Sequence, residues 1–175
     1  EAFAEIRAKM LIVALSSDWL FPPEQSEEMA NALLRAGRQV SYCRLHAPHG
    51  HDAFLVDIEH LSEVLRAFLP WVGEKPRPRP SIEIRSRERE SLWRGAADRR
   101  REFRAMLDMV RPGARVLDLG CGDGELLSLL AAEREACGVG VDIDIGHVIR
   151  VIDKGHDVFQ SDIDDGLAMI PDKAY

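Results

Sequence analysis

The sequence predicts an α/β protein built on parallel strands, and three observations predict it. The first is the run Val116-Leu117-Asp118-Leu119-Gly120-Cys121-Gly122-Asp123-Gly124-Glu125, which reads as a buried strand, a glycine-rich turn and a helix start. The second is a pair of apolar segments that each end in an acid, Gly138-Val139-Gly140-Val141-Asp142 and Val158-Phe159-Gln160-Ser161-Asp162. The third is an alternation of strand and helix patterns from Met10 to Pro70. Alternating elements of this kind assemble as a parallel sheet covered by helices.

Taken in order, Met10 to Ser16 is an apolar run suited to a buried parallel strand. Pro22 and Pro23 open a helix, since proline is tolerated in a first turn. Its apolar spacing runs through Met29, Leu33 and Leu34, and Gly37 is placed to end it. Val40 to Leu45 alternates as the next strand. After the loop Ala47-Pro48-His49-Gly50-His51-Asp52, one helical stripe runs through Phe54, Ile58, Leu61, Leu65 and Phe68. The chain then changes character. Lys75-Pro76-Arg77-Pro78-Arg79-Pro80 favours an extended, polyproline-like linker, followed by Arg85, Arg87, Arg89 and Arg94. A further helix carries Phe103, Met106, Leu107 and Val110 on its apolar side and Arg99-Arg100-Arg101 on the exposed one, and leads into the glycine turn.

A strand–glycine turn–helix unit brings backbone N–H groups and a helix N-terminus to a nucleotide-like ligand. Here the spacing is GxGxG, because position 125 is Glu where a dinucleotide-binding turn has its third glycine. With Asp118 two residues before Gly120, the turn resembles the first motif of S-adenosylmethionine (SAM)-dependent methyltransferases. That resemblance implies that Gly120, Gly122 and Gly124 cradle the cofactor and that Asp118 faces its methionine moiety. An acid about 20 residues on, Asp142, is placed to accept both ribose hydroxyls. The resemblance assigns Asp162 to the adenine amino group. The bland alternative makes Asp142 and Asp162 ordinary loop acids after strands. In wording the segment is closest to the MetW family of methionine biosynthesis. Asp118 to Glu125, Gly140-Val141-Asp142-Ile143-Asp144, Ser161-Asp162-Ile163-Asp164-Asp165-Gly166-Leu167 and Pro171-Asp172-Lys173 carry that resemblance. It covers the chain from about Asp98 onward, and it supplies no methyl acceptor.

The first part resembles another family. Ser16-Ser17-Asp18-Trp19-Leu20-Phe21-Pro22-Pro23-Glu24-Gln25 and His49-Gly50-His51-Asp52-Ala53-Phe54-Leu55 are similar to homoserine O-acyltransferases of the α/β-hydrolase fold, the MetX family. Carried over by position, Asp18 is the triad carboxylate, His51 the general base, and Asp52 an acid near the substrate amine. The base must take a proton from a serine, and the acid must hold the imidazole in the correct tautomer. The competing readings are that Asp18 only caps the following helix, that His51 is a structural loop histidine, and that Asp52 caps its own helix. The triad also needs a serine on a G-x-S-x-G elbow, and no such pentapeptide occurs. Acyl transfer by this chain alone is therefore not expected.

The expected organisation is the C-terminal portion of an α/β-hydrolase fold over residues 1–73, a Pro/Arg-rich linker over 74–97, and the first half of a Rossmann-like SAM-binding fold over 98–175. The first residue is Glu and the last Tyr175, so the chain is expected to be a fragment spanning a MetX–MetW junction. Each half is expected to expose sheet edges that absent strands should cover. The implied ligands are homoserine and acyl-CoA for the first part and SAM for the second, with a homodimer possible for the intact protein. The net charge of −7 has a basic stretch between acidic flanks. Glu83, Glu88 and Glu90 interrupt that stretch without aromatic platforms, which argues against nucleic-acid binding. His46, His49 and His60 show no zinc spacing. Cys43, Cys121 and Cys137 show no paired spacing, with Cys43 and Cys137 expected to be buried in or beside strands; this suits a reducing cytoplasm. No signal peptide or membrane span is read. Two rivals stand beside a fused acyltransferase–methyltransferase. One is a SAM-binding regulatory module for the acylation, and the other is a plain methyltransferase.

Overall fold

The computed structural model describes residues 2–56, 58–69, 97–164, 167, 170 and 175. Residues 70–96, which hold most of the expected linker, lie outside the described residues, as do Asp165, Gly166 and Pro171-Asp172-Lys173. After a short 3-10 turn (Ala2–Glu5), the elements are β1 (Met10–Leu15), α1 (Pro23–Arg35), β2 (Val40–Leu45), a 3-10 turn (Gly50–Asp52), α2 (Ala53–Val56) and α3 (Ile58–Phe68). Then come α4 (Ala97–Met109), β3 (Arg115–Leu119), α5 (Glu125–Arg134), β4 (Cys137–Asp142), α6 (Ile145–Asp153) and β5 (Asp157–Gln160). The prolines act as expected: Pro22 is the N-cap of α1 and Pro23 its first residue. Gly37, at φ +69°, ends that helix, with its N–H on Leu34 O and the Arg38 N–H on Leu33 O. The stripe expected after His51 is helical over Ala53–Val56 and Ile58–Phe68, and the 3-10 turn leads into it.

All five strands are parallel, in the order β1-β2-β5-β4-β3. The run β5-β4-β3 has the 3-2-1 order of one half of a Rossmann-like sheet. Side-chain alternation builds two cores. On one face α1 places Ala30, Leu33 and Leu34 against Ile12, Ala14, Val40, Tyr42, Val139, Val141 and Phe159. On the other, Val64 and Ala67 of α3, Leu127 of α5, and Val148, Val151 and Ile152 of α6 pack on Cys43, Leu45 and Val158. Right-handed crossovers account for α1 on one face and for α5 and α6 on the other. The chain moves one way across the sheet from β1 to β2 and the other way from β3 through β4 to β5. The two directions meet between β2 and β5, a topological switch point.

The expectation of exposed edges is therefore corrected for two strands, because the edges of β2 and β5 cover each other. Tyr42 pairs with Phe159 in register, and side chains stitch the strands on either side. The Val158 N–H donates to Ser41 Oγ (3.3 Å) and the Arg44 N–H to Gln160 Oε1 (2.8 Å). At the entry to β5, Lys9 Nζ lies 3.0 Å from Asp157 Oδ1 and donates to Gly155 O (2.8 Å) and His156 O (3.3 Å). The sheet's remaining edges are β1 and β3. Cys43 and Cys121 are buried, but Cys137 is exposed, against expectation, because it is the first residue of β4 at the rim of the sheet. Among the described residues no helix is long and apolar enough to cross a membrane.

Candidate functional sites on one sheet edge

Because the strands run parallel, the loop after β1, the loop after β2, the glycine turn and the ends of β4 and β5 all emerge on one edge. That edge of an open α/β sheet is where ligands bind. Two clusters of chemical side chains form there.

The first joins the loops after β1 and β2. Asp18 is buried, and its Oδ1 accepts the N–H groups of Leu20 (2.9 Å) and Phe21 (3.0 Å). Its Oδ2 lies 3.0 Å from His51 Nδ1. The Phe21 N–H bond is the largest influence holding the Asp18 carboxyl below its ordinary pKa, and desolvation opposes it. An ionised acid only accepts, so Nδ1 carries a proton toward Asp18. Asp18 makes no cap to α1, whose N-cap is Pro22 without a side-chain bond; it caps the turn before the helix. His51 sits between Phe21 (ring centroids 5.3 Å apart) and Phe54 (5.7 Å). Asp52 is exposed beside it. Ser16 and Ser17 fasten the histidine loop. Ser16 Oγ accepts the Ala47 N–H (3.0 Å), and Ser17 Oγ accepts the Gly50 N–H (2.8 Å) and donates to Ala47 O. Neither hydroxyl bonds His51 among the described contacts.

The second cluster surrounds the glycine turn. Gly120, Gly122 and Gly124 have φ of +72°, +55° and +73°, a left-handed backbone that explains the residue type at all three positions. Four of the turn's amides have acceptors within the protein. Gly120 and Cys121 donate to Val141 O, Gly122 to Asp142 Oδ2 (2.8 Å), and Gly124 to Cys121 O. Instead of offering these amides to an anion, the turn packs against β4 and holds acids at its rim. Asp142 Oδ1 also accepts the Asp144 N–H (2.9 Å) and faces His147 Nδ1 (3.1 Å). Although desolvation is the largest single influence on Asp142 and raises its pKa, these bonds together hold it below the ordinary value. Asp118 differs. Its Oδ2 is buried without a partner, and desolvation, then the Asp142 charge, push its pKa up. Asp162 is half-buried on the loop after β5, and its Oδ1 accepts the Asp164 N–H (2.9 Å). It makes no bond to Asp118 or Asp142 among the described contacts. Cys121, buried beneath the turn, has its thiol pushed up to about 12 by burial and the neighbouring acids, which makes it unreactive.

Close packing makes Gly140 part of this site. A Cβ there stands 2.5 Å from Cys121 Sγ, 3.1 Å from Cys121 Cβ and 3.2 Å from Leu127 Cδ1. Gly140→Ala is expected to cost about 1–3 kcal/mol by overpacking and to displace the turn. Urea unfolding checks this; a variant with an unchanged midpoint would show that the turn yields freely.

The sequence reading does not pick out His147, and it assigns no role to Gln160 or to Ser16 and Ser17 within their motifs. A signal for His147 exists: Asp144 accepts the His147 N–H (2.9 Å) as the N-cap of α6, which sets residue 147 in the first turn beside Asp142.

The parallel doubly wound sheet with a glycine turn and acid-ended strands defines a Rossmann-like α/β protein. Its second part is MetW-related: residues 100–175 match the family described as methionine biosynthesis protein MetW. Over 184 aligned residues, 99% of the chain is 32% identical to a bifunctional methionine biosynthesis protein MetXA/MetW of Rhodopirellula baltica, covering 27% of that protein. A homoserine O-succinyltransferase of Halothiobacillus neapolitanus is 44% identical over 78 residues, 45% of this chain and 19% of the relative. A homoserine O-acetyltransferase of Geotalea daltonii is 45% identical over 73 residues, 42% of this chain and 20% of the relative. The chain thus spans about a quarter or less of the length of these relatives. All are named for methionine biosynthesis or for homoserine acylation.

Proposed function

We propose that this chain serves methionine biosynthesis and holds S-adenosylmethionine at the glycine turn, beside the acid–base half of a homoserine acyltransferase triad. The observation that carries the SAM reading is the orphaned Asp118 Oδ2 next to the Asp142 charge. Two acids on one rim repel a pyrophosphate and favour a ligand with positive charge, and SAM brings an ammonium and a sulfonium. Asp118 supplies the counter-charge, Asp142 meets the ribose, and Asp162 lies on the loop where the adenine falls in this reading. Titration calorimetry with SAM is expected to give one site. Asp118→Asn should lose at least about tenfold in affinity, the equivalent of one charge-assisted hydrogen bond. Equal affinity in the variant would remove Asp118 from the site.

In the acyltransferase reading, Asp18 orients His51, whose Nε2 takes the proton of a serine attacking acyl-CoA, and homoserine accepts the acyl group near Asp52. This chain brings no nucleophile on an elbow, so no ester turnover is expected from it alone. Turnover that disappears in His51→Ala would overturn that expectation.

One observation favours a regulatory role for the SAM unit over methyl transfer. The strand before the His51 loop and the strand before Asp162 are neighbours in one sheet. α3, which follows that loop, packs on α6, which follows Asp142. A ligand at one cluster therefore has a solid route to the other. If SAM alters neither the rate nor the stability of an acyltransferase that contains this segment, the regulatory reading falls.

A further inference from the structure

Asp142 is the acid expected to receive a vicinal diol, yet its carboxylate is already engaged. Oδ2 accepts the Gly122 N–H (2.8 Å), while Oδ1 accepts the Asp144 N–H (2.9 Å) and the His147 ring N–H (3.1 Å between heavy atoms). Each carboxylate oxygen offers about two acceptor positions. Oδ1 is thus full, and Oδ2 has room for one more donor. A cis-diol that bridges both oxygens needs a place on Oδ1.

The two backbone donors are fixed by the fold. Gly122 is locked in the positive-φ turn, and Asp144 is the N-cap of α6. The His147 ring is different. Its side chain is 39% exposed, and its backbone N–H is held separately by Asp144 Oδ1 (2.9 Å). The ring can leave Asp142 while α6 keeps its cap.

We propose that His147 is a gate of the nucleoside site, occupying Asp142 Oδ1 and weakening diol binding until a vicinal diol displaces it. The inference rests on the SAM reading of the glycine turn. In the free protein the imidazole completes the shell of a buried carboxylate that otherwise lacks one donor. Two ligand hydroxyls replace it only when both reach the acid together. A nucleoside without the diol leaves the ring on Asp142, so the exchange costs affinity only for a ligand that carries an intact ribose. No bond is made or broken beyond this exchange of hydrogen bonds.

The test is titration calorimetry of the whole chain at one pH with three probes: SAM, adenosine and 2′,3′-dideoxyadenosine. His147→Ala removes the competitor. It should bind SAM and adenosine about tenfold tighter than the unsubstituted chain, the factor carried by one such hydrogen bond, and dideoxyadenosine no tighter. His147→Asn places an N–H donor where Nδ1 stood and should restore the unsubstituted affinities. Equal or weaker diol binding in His147→Ala overturns the gate, as does an equal gain for the dideoxynucleoside, which would mark the ring as a steric obstacle only. Failure of all three proteins to bind SAM or adenosine overturns the SAM reading and the gate together. SAM binding with no difference among the proteins overturns the gate alone.

Discussion

Lys9→Met is expected to cost about 3–4 kcal/mol of stability at pH 7, among the largest effects of any single substitution in this chain. Asp157 is largely shielded at the start of β5, and desolvation already holds its pKa above the ordinary value despite the nearby Lys9 charge. Removing the lysine leaves that carboxylate with no cation and leaves Gly155 O and His156 O without their donor. The loss has a ceiling. An unpaired buried acid takes up a proton instead of staying charged. Holding it protonated at pH 7 costs about 4 kcal/mol from an ordinary value near 3.9. The deficit should therefore shrink as pH falls and shrink again in Lys9→Met/Asp157→Asn, where no charge is stranded. Urea unfolding of the four proteins of the cycle decides it. A single variant no less stable than the double would mean that the pair carries nothing. Because Lys9 precedes β1 and Asp157 opens β5, the same experiment reports on the joint that makes one sheet of the chain.

The second large effect is a loss of stability in mild acid through His156. Its Nε2–H donates to Ser128 Oγ (3.0 Å), whose own proton goes to Gly124 O (2.9 Å). Burial, aided by the charges of Lys9 and Lys154, pushes its pKa down from 6.5 to about 4. A base whose folded pKa lies below its unfolded value binds its proton more readily when unfolded. Its contribution is complete above pH 6.5 and lost as pH falls toward about 4, with a total of about 3 kcal/mol. Asp157 and Asp118 act in the opposite sense, because protonating acids with raised pKa values relieves a buried charge as pH falls. Asp18 and Asp142 have lowered values and withdraw their stabilisation only below the ordinary carboxylate range. The comparison that isolates His156 is the unsubstituted chain against His156→Gln, which keeps a donor for Ser128. The two should be close at pH 7.5 and diverge as pH falls from 6.5 to 4, with the glutamine protein the more resistant. Parallel stability curves would show that His156 protonates freely in the fold. Lys9 enters both experiments, so its substitution should also raise the pKa of His156, and the two effects are not additive.

Local elements were legible from residue types because local physics sets them. The prolines before α1, Gly37 after it, and the positive-φ glycines at 120, 122 and 124 answer backbone constraints that act within a few residues. β1 and β2 open at Met10 and Val40, where the sequence places them, and β3 and β4 open one residue earlier than the apolar runs, at Arg115 and Cys137. Motif spacing pointed to Asp18 and His51, and the structure brings their side chains to 3.0 Å. It was less informative about how an acid is used. Asp118, Asp142 and Asp162 look equivalent in sequence, each at or near a strand end. One is orphaned and buried, one is engaged by three donors, and one is tied to its own loop.

By itself, then, the sequence determined the parallel α/β class, the strand–turn–helix unit at Gly120 to Gly124, and the resemblance that ties residues 100–175 to MetW. These depend on spacing along the chain. Only the tertiary structure decided that β2 and β5 lie side by side, that Ser41 and Gln160 complete their hydrogen bonding, and that Lys9 reaches Asp157. No local pattern encodes a contact between residues more than a hundred positions apart. Strand edges offer the same backbone groups everywhere, and the choice of partner falls to complementary side chains and the faces they must bury.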